Sequence, residues 1–187
     1  MSKSAIVVEG GAMRGVFAAG VLDAFVSQNF YPFSHYIGVS GGAMCLSYYL
    51  GNQYRVTLEI IKSLSEDKEF INVLNAFKEE GVVNLKHLKH FTTTEYPIDY
   101  SQAIEKTKNA IVEFVATDID SGKPEYLRPN MNSWNDCLIA SSTLPLFSKG
   151  IHELGGKKLM DGGWSDPIPV QRAIELGATK IIVIRTS

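Results

Sequence analysis

The sequence predicts a three-layer α/β/α fold with a mostly parallel central sheet. Three observations point to it. Short apolar runs, Ala5-Ile6-Val7-Val8, Tyr36-Ile37-Gly38-Val39 and Ile181-Ile182-Val183-Ile184, have the length and β-branched character of strands buried on both faces. The first two run into glycine clusters, Gly10-Gly11-Ala12-Met13-Arg14-Gly15 and Ser40-Gly41-Gly42, and then into apolar stretches long enough for helices. Between strands, apolar residues recur at helical spacing, as in Val56, Ile60, Ile61 and Leu64, then Phe70, Val73, Leu74 and Phe77.

Taken in order, the strand at residues 5–8 leads through the first glycine cluster to a helix over residues 16–25, apolar on most faces and so expected inside the fold. Pro32-Phe33-Ser34-His35 connects it to the next strand, with His35 expected to be solvated. A second helix starts at Gly41 and continues through Leu50, and helices over residues 54–80 are expected to cover the sheet. Residues 81–100 lack periodicity and read as a mobile cover. A strand at residues 110–117 turns through Asp118-Ile119-Asp120-Ser121-Gly122-Lys123 into Pro124-Glu125-Tyr126-Leu127. A helix over residues 136–141 closes at Pro145, and Leu159-Met160 reaches Asp161-Gly162-Gly163. A helix over residues 170–176 then leads through Gly177 into a last buried strand at residues 181–184.

At 187 residues, 45% hydrophobic and 20% charged, the chain suits one domain spanning residues 1–187. Ending three residues after a core strand is the pattern of a domain lacking a C-terminal segment. A net charge of −2 without a basic block argues against nucleic acid and against attraction to anionic membrane surfaces. Cys45 and Cys137, the two cysteines, sit in apolar helical contexts and read as buried thiols in a reducing compartment. The first nine residues carry no cationic leader, and no apolar run reaches the roughly 18 residues of a membrane-spanning helix, so the expected setting is the cytoplasm.

Gly38-Val39-Ser40-Gly41-Gly42 fits G-x-S-x-G, the pattern of a serine held on a sharp strand-to-helix turn. A Cβ at position 38 or 42 is expected to collide with the neighbouring strand or helix, and the following helix N-terminus favours negative charge beside Ser40. The same five residues are also compatible with a tight turn that has no chemistry. The first glycine cluster is a poor dinucleotide loop, because Ala12 replaces the second glycine and no acidic residue lies near Phe30. It fails as a Walker loop for want of Gly-Lys-Ser/Thr. His87 and His90 have no acidic or cysteine partner at metal-ligand spacing. Asp118 and Asp120 are explained by turn chemistry at least as well as by catalysis.

Together, the three glycine-bearing motifs resemble the patatin-like phospholipase family over nearly the whole chain. Gly10-Gly11-Ala12-Met13-Arg14-Gly15 is similar to its oxyanion loop, Gly38 to Gly42 to its serine elbow, and Asp161-Gly162-Gly163 to its D-G-G/A motif. Ala140-Ser141-Ser142 with Pro145 resembles its A-S-x-x-x-P segment. Ala12 stands where most members carry a third loop glycine, so a left-handed backbone there is expected to be strained.

The resemblance implies that Ser40 is a nucleophile and Asp161 its base, that N–H groups around Gly11 and Ala12 hold the oxyanion, and that Arg14 orients the loop or adds positive potential. It further implies a lipid or other acyl-ester substrate, with no metal or cofactor. Met13, Phe17, Met44, Leu144 and Phe147 are candidates to line an acyl pocket or to be core. Two other readings stay open. One is an α/β-hydrolase esterase using His152 with Asp118 or Asp136. The other is a nucleotide-binding or catalytically silent module on the same fold.

Overall fold

The computed structural model describes residues 3–66, 89–144 and 151–186. The expectations for residues 67–80, His87, Pro145 and Phe147 fall outside them. The strands are β1 (Lys3–Val8), β2 (His35–Val39), β3 (Ile111–Asp118), β4 (Pro124–Leu127), β5 (His152–Leu154), β6 (Lys157–Asp161) and β7 (Ala178–Ile184). The helices are α1 (Val16–Ser27), α2 (Gly41–Leu50), α3 (Val56–Glu66), α4 (Tyr100–Thr107), α5 (Trp134–Ser142) and α6 (Val170–Glu175). They form one mixed, mostly parallel sheet with flanking helices.

The strand order is β5-β6-β3-β2-β1-β7, with β4 paired to β3. β1, β2, β3 and β7 run parallel, whereas β4 and β6 are antiparallel to β3. The registers Val8↔Gly38 and Val39↔Val115 bring the C-terminal ends of the parallel strands to one edge, where both glycine clusters begin. β4 pairs with β3 through residues that also face β2 and residues that also face β6. A strand has only two edges, so β2 and β6 share one: β2 ends with Val39 opposite Val115, and β6 takes over at Ala116. This hand-over brings Asp161 to the end of β2.

Among the described residues the two sheet faces are covered unequally. On one face Ile6, Val8, Tyr36 and Phe114 pack against Leu22, Leu46, Ile60, Ala103 and Leu138, which come from five successive helices. Residues 42–50 of α2 are all buried, so this helix is apolar all round because it has neighbours all round. Its polar atoms are satisfied locally: Trp134 Nε1 donates to Ser47 Oγ at 2.9 Å, and the Tyr48 hydroxyl donates to the Tyr96 carbonyl at 2.7 Å. Each fully buried leucine, such as Leu46 or Leu50, contributes about 2 kcal/mol by leaving water. On the other face Ala5, Val7, Ile37, Val39 and Val115 meet Ala173 of α6.

Four expectations need correction. α1 buries Ala18, Ala19 and Leu22, packing among the described residues against α2 and α3, but leaves Val16, Phe17 and Gly20 exposed. Among the described residues the last strand lies at the edge of the sheet with β1 as its one strand partner, and Ile182 and Val183 are 40% and 37% exposed. His35 is buried as the first residue of β2 rather than solvated, and loss of water pushes its pKa down. A fourth concerns residues 81–100, read as a mobile cover: of these the described residues carry a helical turn at Phe91–Glu95 and bury Phe91, Thr92 and Ile98. α4 and β5 have no counterpart in the sequence reading, the other assignments among the described residues agree to within a few residues, and Cys45 and Cys137 are buried free thiols.

The thin face is tied down electrostatically. Glu113, wholly buried on β3, accepts from Arg172 Nε at 2.8 Å and Nη2 at 2.6 Å, and from Arg128 Nη2 at 3.0 Å. The Arg172 guanidinium also lies 4.4 Å over the Tyr126 ring. Breaking a buried pair from one side strands the other charge, whereas an exposed pair is worth little. We expect Arg172→Met to lower the unfolding free energy in urea by about 3 kcal/mol. Arg128→Met, whose side chain is 58% exposed, should cost under about 1 kcal/mol. Equal losses would contradict this division.

Candidate active site

Ser40 sits between β2 and α2 with φ 52° and ψ −124°, a combination that non-glycine residues rarely adopt and that costs of order 1–3 kcal/mol. The surroundings enforce it. Its carbonyl accepts from the N–H groups of Ala43 at 2.9 Å and Met44 at 3.2 Å. Its own N–H donates to Ser141 Oγ at 2.8 Å, and that hydroxyl donates to the Val115 carbonyl at 2.6 Å. Ser141 therefore pins the turn to the end of β3. A Cβ at Gly38 would come within 2.7 Å of Ala43 Cα, and one at Gly42 would strike the carbonyls of Val8 and Glu9. Both glycines are thus required by close backbone approach.

The first glycine cluster lies alongside. A Cβ at Gly10 would stand 3.0 Å from that of Ser40. Ala12 has φ 46°, so the alanine in the third loop position does take the left-handed conformation, at a cost of roughly 1–2 kcal/mol. Ala12, Met13, Arg14 and Gly15 form a single 3-10 turn, begun by the Arg14 N–H donating to the Gly11 carbonyl at 2.9 Å. No acceptor among the described residues takes the N–H of Gly11 or Ala12. The Arg14 side chain is exposed and forms no ion pair among the described residues, leaving its charge uncompensated at the pocket wall. A Cβ at Gly15 would meet Cys45 Sγ at an ordinary 3.7 Å, so this glycine is not a steric necessity.

Asp161 ends β6 and is 5% exposed. Thr117 Oγ1 donates to its carbonyl at 2.8 Å, its N–H donates to the Thr143 carbonyl at 2.6 Å, and its Oδ1 accepts from Gly163 N–H at 2.8 Å. Burial pushes the carboxyl pKa above its ordinary value, opposed in part by the nearby Ser40 hydroxyl and by the hydrogen bond from the Gly163 N–H. A Cβ at Gly162 would run into the Val115 carbonyl, and one at Gly163 would come within 3.1 Å of Asp161 Oδ1. The D-G-G sequence thus lets the chain turn beneath β3 and keeps the carboxylate uncrowded.

These groups share one pocket of about 360 Å³, lined by Gly10, Gly11, Ala12, Arg14, Ser40 and Asp161, with Val39, Leu144 and Pro167 as its apolar part. Gly15, Gly38, Gly42 and Gly162 stand behind it. Leu144 is the acyl-pocket candidate that the structure brings there. Met44 is core, Met13 packs against the core, and Phe17 is 61% exposed.

The other titratable candidates lie elsewhere. His152 is on β5, at the end of the sheet order, and does not line this pocket; burial lowers its pKa. Asp118 Oδ1 accepts from Ser121 N–H at 2.8 Å and Oγ at 3.0 Å, which is turn chemistry. His90 faces Glu95 at 3.4 Å on the surface. Among the described residues no group of three His, Cys, Asp or Glu side chains could hold a metal ion, and no helix is long and apolar enough to cross a membrane. Sequence reasoning gave Ser141 no role and missed Thr117; both act through hydroxyls whose partners lie far along the chain.

Comparison with known proteins identifies the family and the fold. Residues 6–174 match the model of the patatin-like phospholipase family. The chain is 35% identical over 183 residues to the uncharacterized protein YjjU of Escherichia coli K12, covering 97% of this chain and 51% of that one, so it spans about half the length of this relative. Among solved structures, VipD from Legionella pneumophila aligns over 88% of this chain and 46% of its own, with a TM-score of 0.51 at 13% identity, a likeness of fold. A human GIVD cytosolic phospholipase A2 in complex with methyl gamma-linolenyl fluorophosphonate aligns over 68% of this chain and 23% of its own, at 15% identity and a TM-score of 0.39. With a family model that spans most of its length and its three motifs at one sheet edge, this chain belongs to the patatin-like phospholipase family.

Proposed function

We propose that this protein is a serine hydrolase that cleaves acyl esters of lipids (phospholipid, lysophospholipid or acylglycerol) through a Ser40-Asp161 dyad and an acyl-enzyme. The observation that carries the reading is that one pocket is lined by the Ser40 side chain, by the buried Asp161 carboxylate and by Gly11 and Ala12, whose N–H groups have no acceptor among the described residues. An acyl-transfer site requires those three parts.

Ser40 Oγ attacks the ester carbonyl carbon while Asp161 takes its proton, and the N–H groups of Gly11 and Ala12 receive the charge that builds on the carbonyl oxygen. When the tetrahedral intermediate collapses, the alcohol leaves with the proton from Asp161. Water then attacks the acyl-enzyme, giving its proton to the same carboxylate, and the acid departs as Ser40 regains its own. Loss of water strengthens Asp161 as a base, which an aspartate in solution is not. Every step uses groups of the chain itself.

Two features favour a lipid substrate. Val39, Leu144 and Pro167 give the pocket an apolar side. Phe17 and Trp164, at 61% and 58% the most exposed of the large apolar side chains among the described residues, follow directly on the two loops that frame the pocket. Exposed aromatic side chains close in sequence to these loops suit transient contact with a lipid surface without a basic patch. The buried thiols of Cys45 and Cys137 favour a reducing compartment, and we place the reaction in the cytoplasm.

On a p-nitrophenyl ester, Ser40→Ala and Asp161→Asn should each lower kcat/KM by at least about 1,000-fold, while His152→Ala keeps most of the activity. The reverse pattern for Asp161 and His152 would transfer the base to the histidine.

Asp161 must be ionised to work, so the raised pKa sets the acid limb. We expect kcat/KM to fall as pH drops, with an apparent pKa above the roughly 3.9 of a free aspartate. The same shift acts on stability. Because the folded-state pKa lies above the unfolded one, stability is greatest below the unfolded value and is lost as pH rises through the folded value, so at neutral pH the charge is a burden. Asp161→Asn should therefore raise the unfolding midpoint at pH 7, and a lower midpoint would contradict the assignment.

Trp134 is buried at 1% exposure and supplies a constant background. Zwitterionic phospholipid vesicles should accordingly shift the emission of the protein to the blue, and the shift should vanish in Trp164→Phe. An unchanged spectrum in the wild type would remove the lipid-surface contact.

A further inference from the structure

Beyond Ile184, the next two residues cross the glycine loop. The Glu9 N–H donates to the Ile184 carbonyl at 3.0 Å. The Thr186 N–H donates to Glu9 Oε2 at 2.7 Å, with Arg185 Nε 3.9 Å from the same oxygen. The Thr186 hydroxyl donates to the Gly10 carbonyl. Its side chain also fills the space a Cβ on Gly11 would need, with Thr186 Cβ 3.0 Å from that position. None of these residues except Gly10 and Gly11 is accounted for by the catalytic scheme.

We propose that Thr186, held by Glu9, is a positioning residue that sets the direction of the oxyanion donors. The proposal deepens the hydrolase reading above and rests on it. A trans peptide is planar, with its C=O and N–H pointing opposite ways. No peptide bond here is cis, so fixing the Gly10 carbonyl on the Thr186 hydroxyl also fixes the Gly11 N–H on the other side of the same plane. That plane needs an external hold. Gly11 at φ 158° and Ala12 at φ 46° occupy backbone regions that the chain leaves when released, and the Arg14 N–H donating to the Gly11 carbonyl begins the turn that follows.

Glycine on both sides of the peptide makes rotation easy, which suits close approach to Ser40 but leaves the donors unaimed. The Thr186 clamp supplies the aim from a residue 176 positions away in the chain. The contact is specific in its chemistry: a hydroxyl is needed for the Gly10 carbonyl, and a backbone N–H anchors the residue to the Glu9 carboxylate.

The test compares Thr186→Val, which keeps the shape and removes the hydroxyl, with Thr186→Ser, which keeps the hydroxyl. Thr186→Ala serves as a second loss-of-hydroxyl variant. On the p-nitrophenyl ester, Thr186→Val and Thr186→Ala should lose on the order of 10- to 100-fold in kcat with KM changed less than about 2-fold, since oxyanion donors act on the transition state. Thr186→Ser should retain most of kcat.

Amide hydrogen exchange of residues 9–16 reads the same clamp without substrate. In Thr186→Val the Glu9 and Arg14 amides, both hydrogen-bonded in the wild type, should lose protection. Wild-type kcat in Thr186→Val, or exchange that does not change, would overturn the clamp. So would a loss of kcat that Thr186→Ser shares in full, because the hydroxyl would then not be the active element. A wild type no more active than Ser40→Ala, with exchange changed as described, would overturn the hydrolase reading and leave the clamp as a fact of the loop.

Discussion

The pocket depends on how closely the backbone of α2 approaches the ends of β1 and β2. Gly42 sits against the Val8 and Glu9 carbonyls, and Gly38 against the backbone of Ala43, with no room for a methyl group at either place. This contact forces Ser40 into its unusual backbone conformation and puts its hydroxyl at the strand ends. The helix can be drawn in so far because it is buried on all sides, so that apolar burial across the larger core offsets strain at one residue. Strain at the turn and packing of the helix are therefore one feature seen from two ends.

Asp161 reaches Ser40 by a different device. β6 runs antiparallel to β3 along the edge that β2 has vacated, so the end of β6 and the end of β2 converge. Gly162 then lets the chain turn within contact of Val115. The elbow and the carboxylate are both referred to Val115: the elbow through Ser141, the carboxylate through Gly162. A buried carboxylate near neutral pH weakens the fold, and it stays because its neighbours, a hydroxyl and one N–H, satisfy it in part. On the same sheet Glu113 is held by two arginines, whereas Asp161 has no cationic partner among the described residues.

The glycine spacings around Ser40 and Asp161 were legible in the sequence because they express local sterics: a turn that tight needs those residues within a few positions. The order of strands and glycine loops carried the fold class for the same reason. What local pattern does not carry is the identity of the neighbours. His35 looks like part of a polar connection, yet the register places it under the sheet. The run Ile181-Ile182-Val183-Ile184 reads as a central strand, but among the described residues it lies at the edge, with two of its side chains exposed. Phe17 belongs by composition to an apolar helix and by geometry to its exposed face. Ser141, Thr117 and Thr186 act through hydroxyl groups on partners 26 to 176 positions away, at distances no periodicity encodes.

The central claim is that one serine is made nucleophilic by one aspartate, and labelling tests it most directly. Folded protein treated with a fluorophosphonate at neutral pH and digested for mass spectrometry should carry one adduct, on Ser40, in the wild type and in His152→Ala, and at least about 100-fold less in Asp161→Asn. An unlabelled Ser40, or full labelling in Asp161→Asn, would contradict the account.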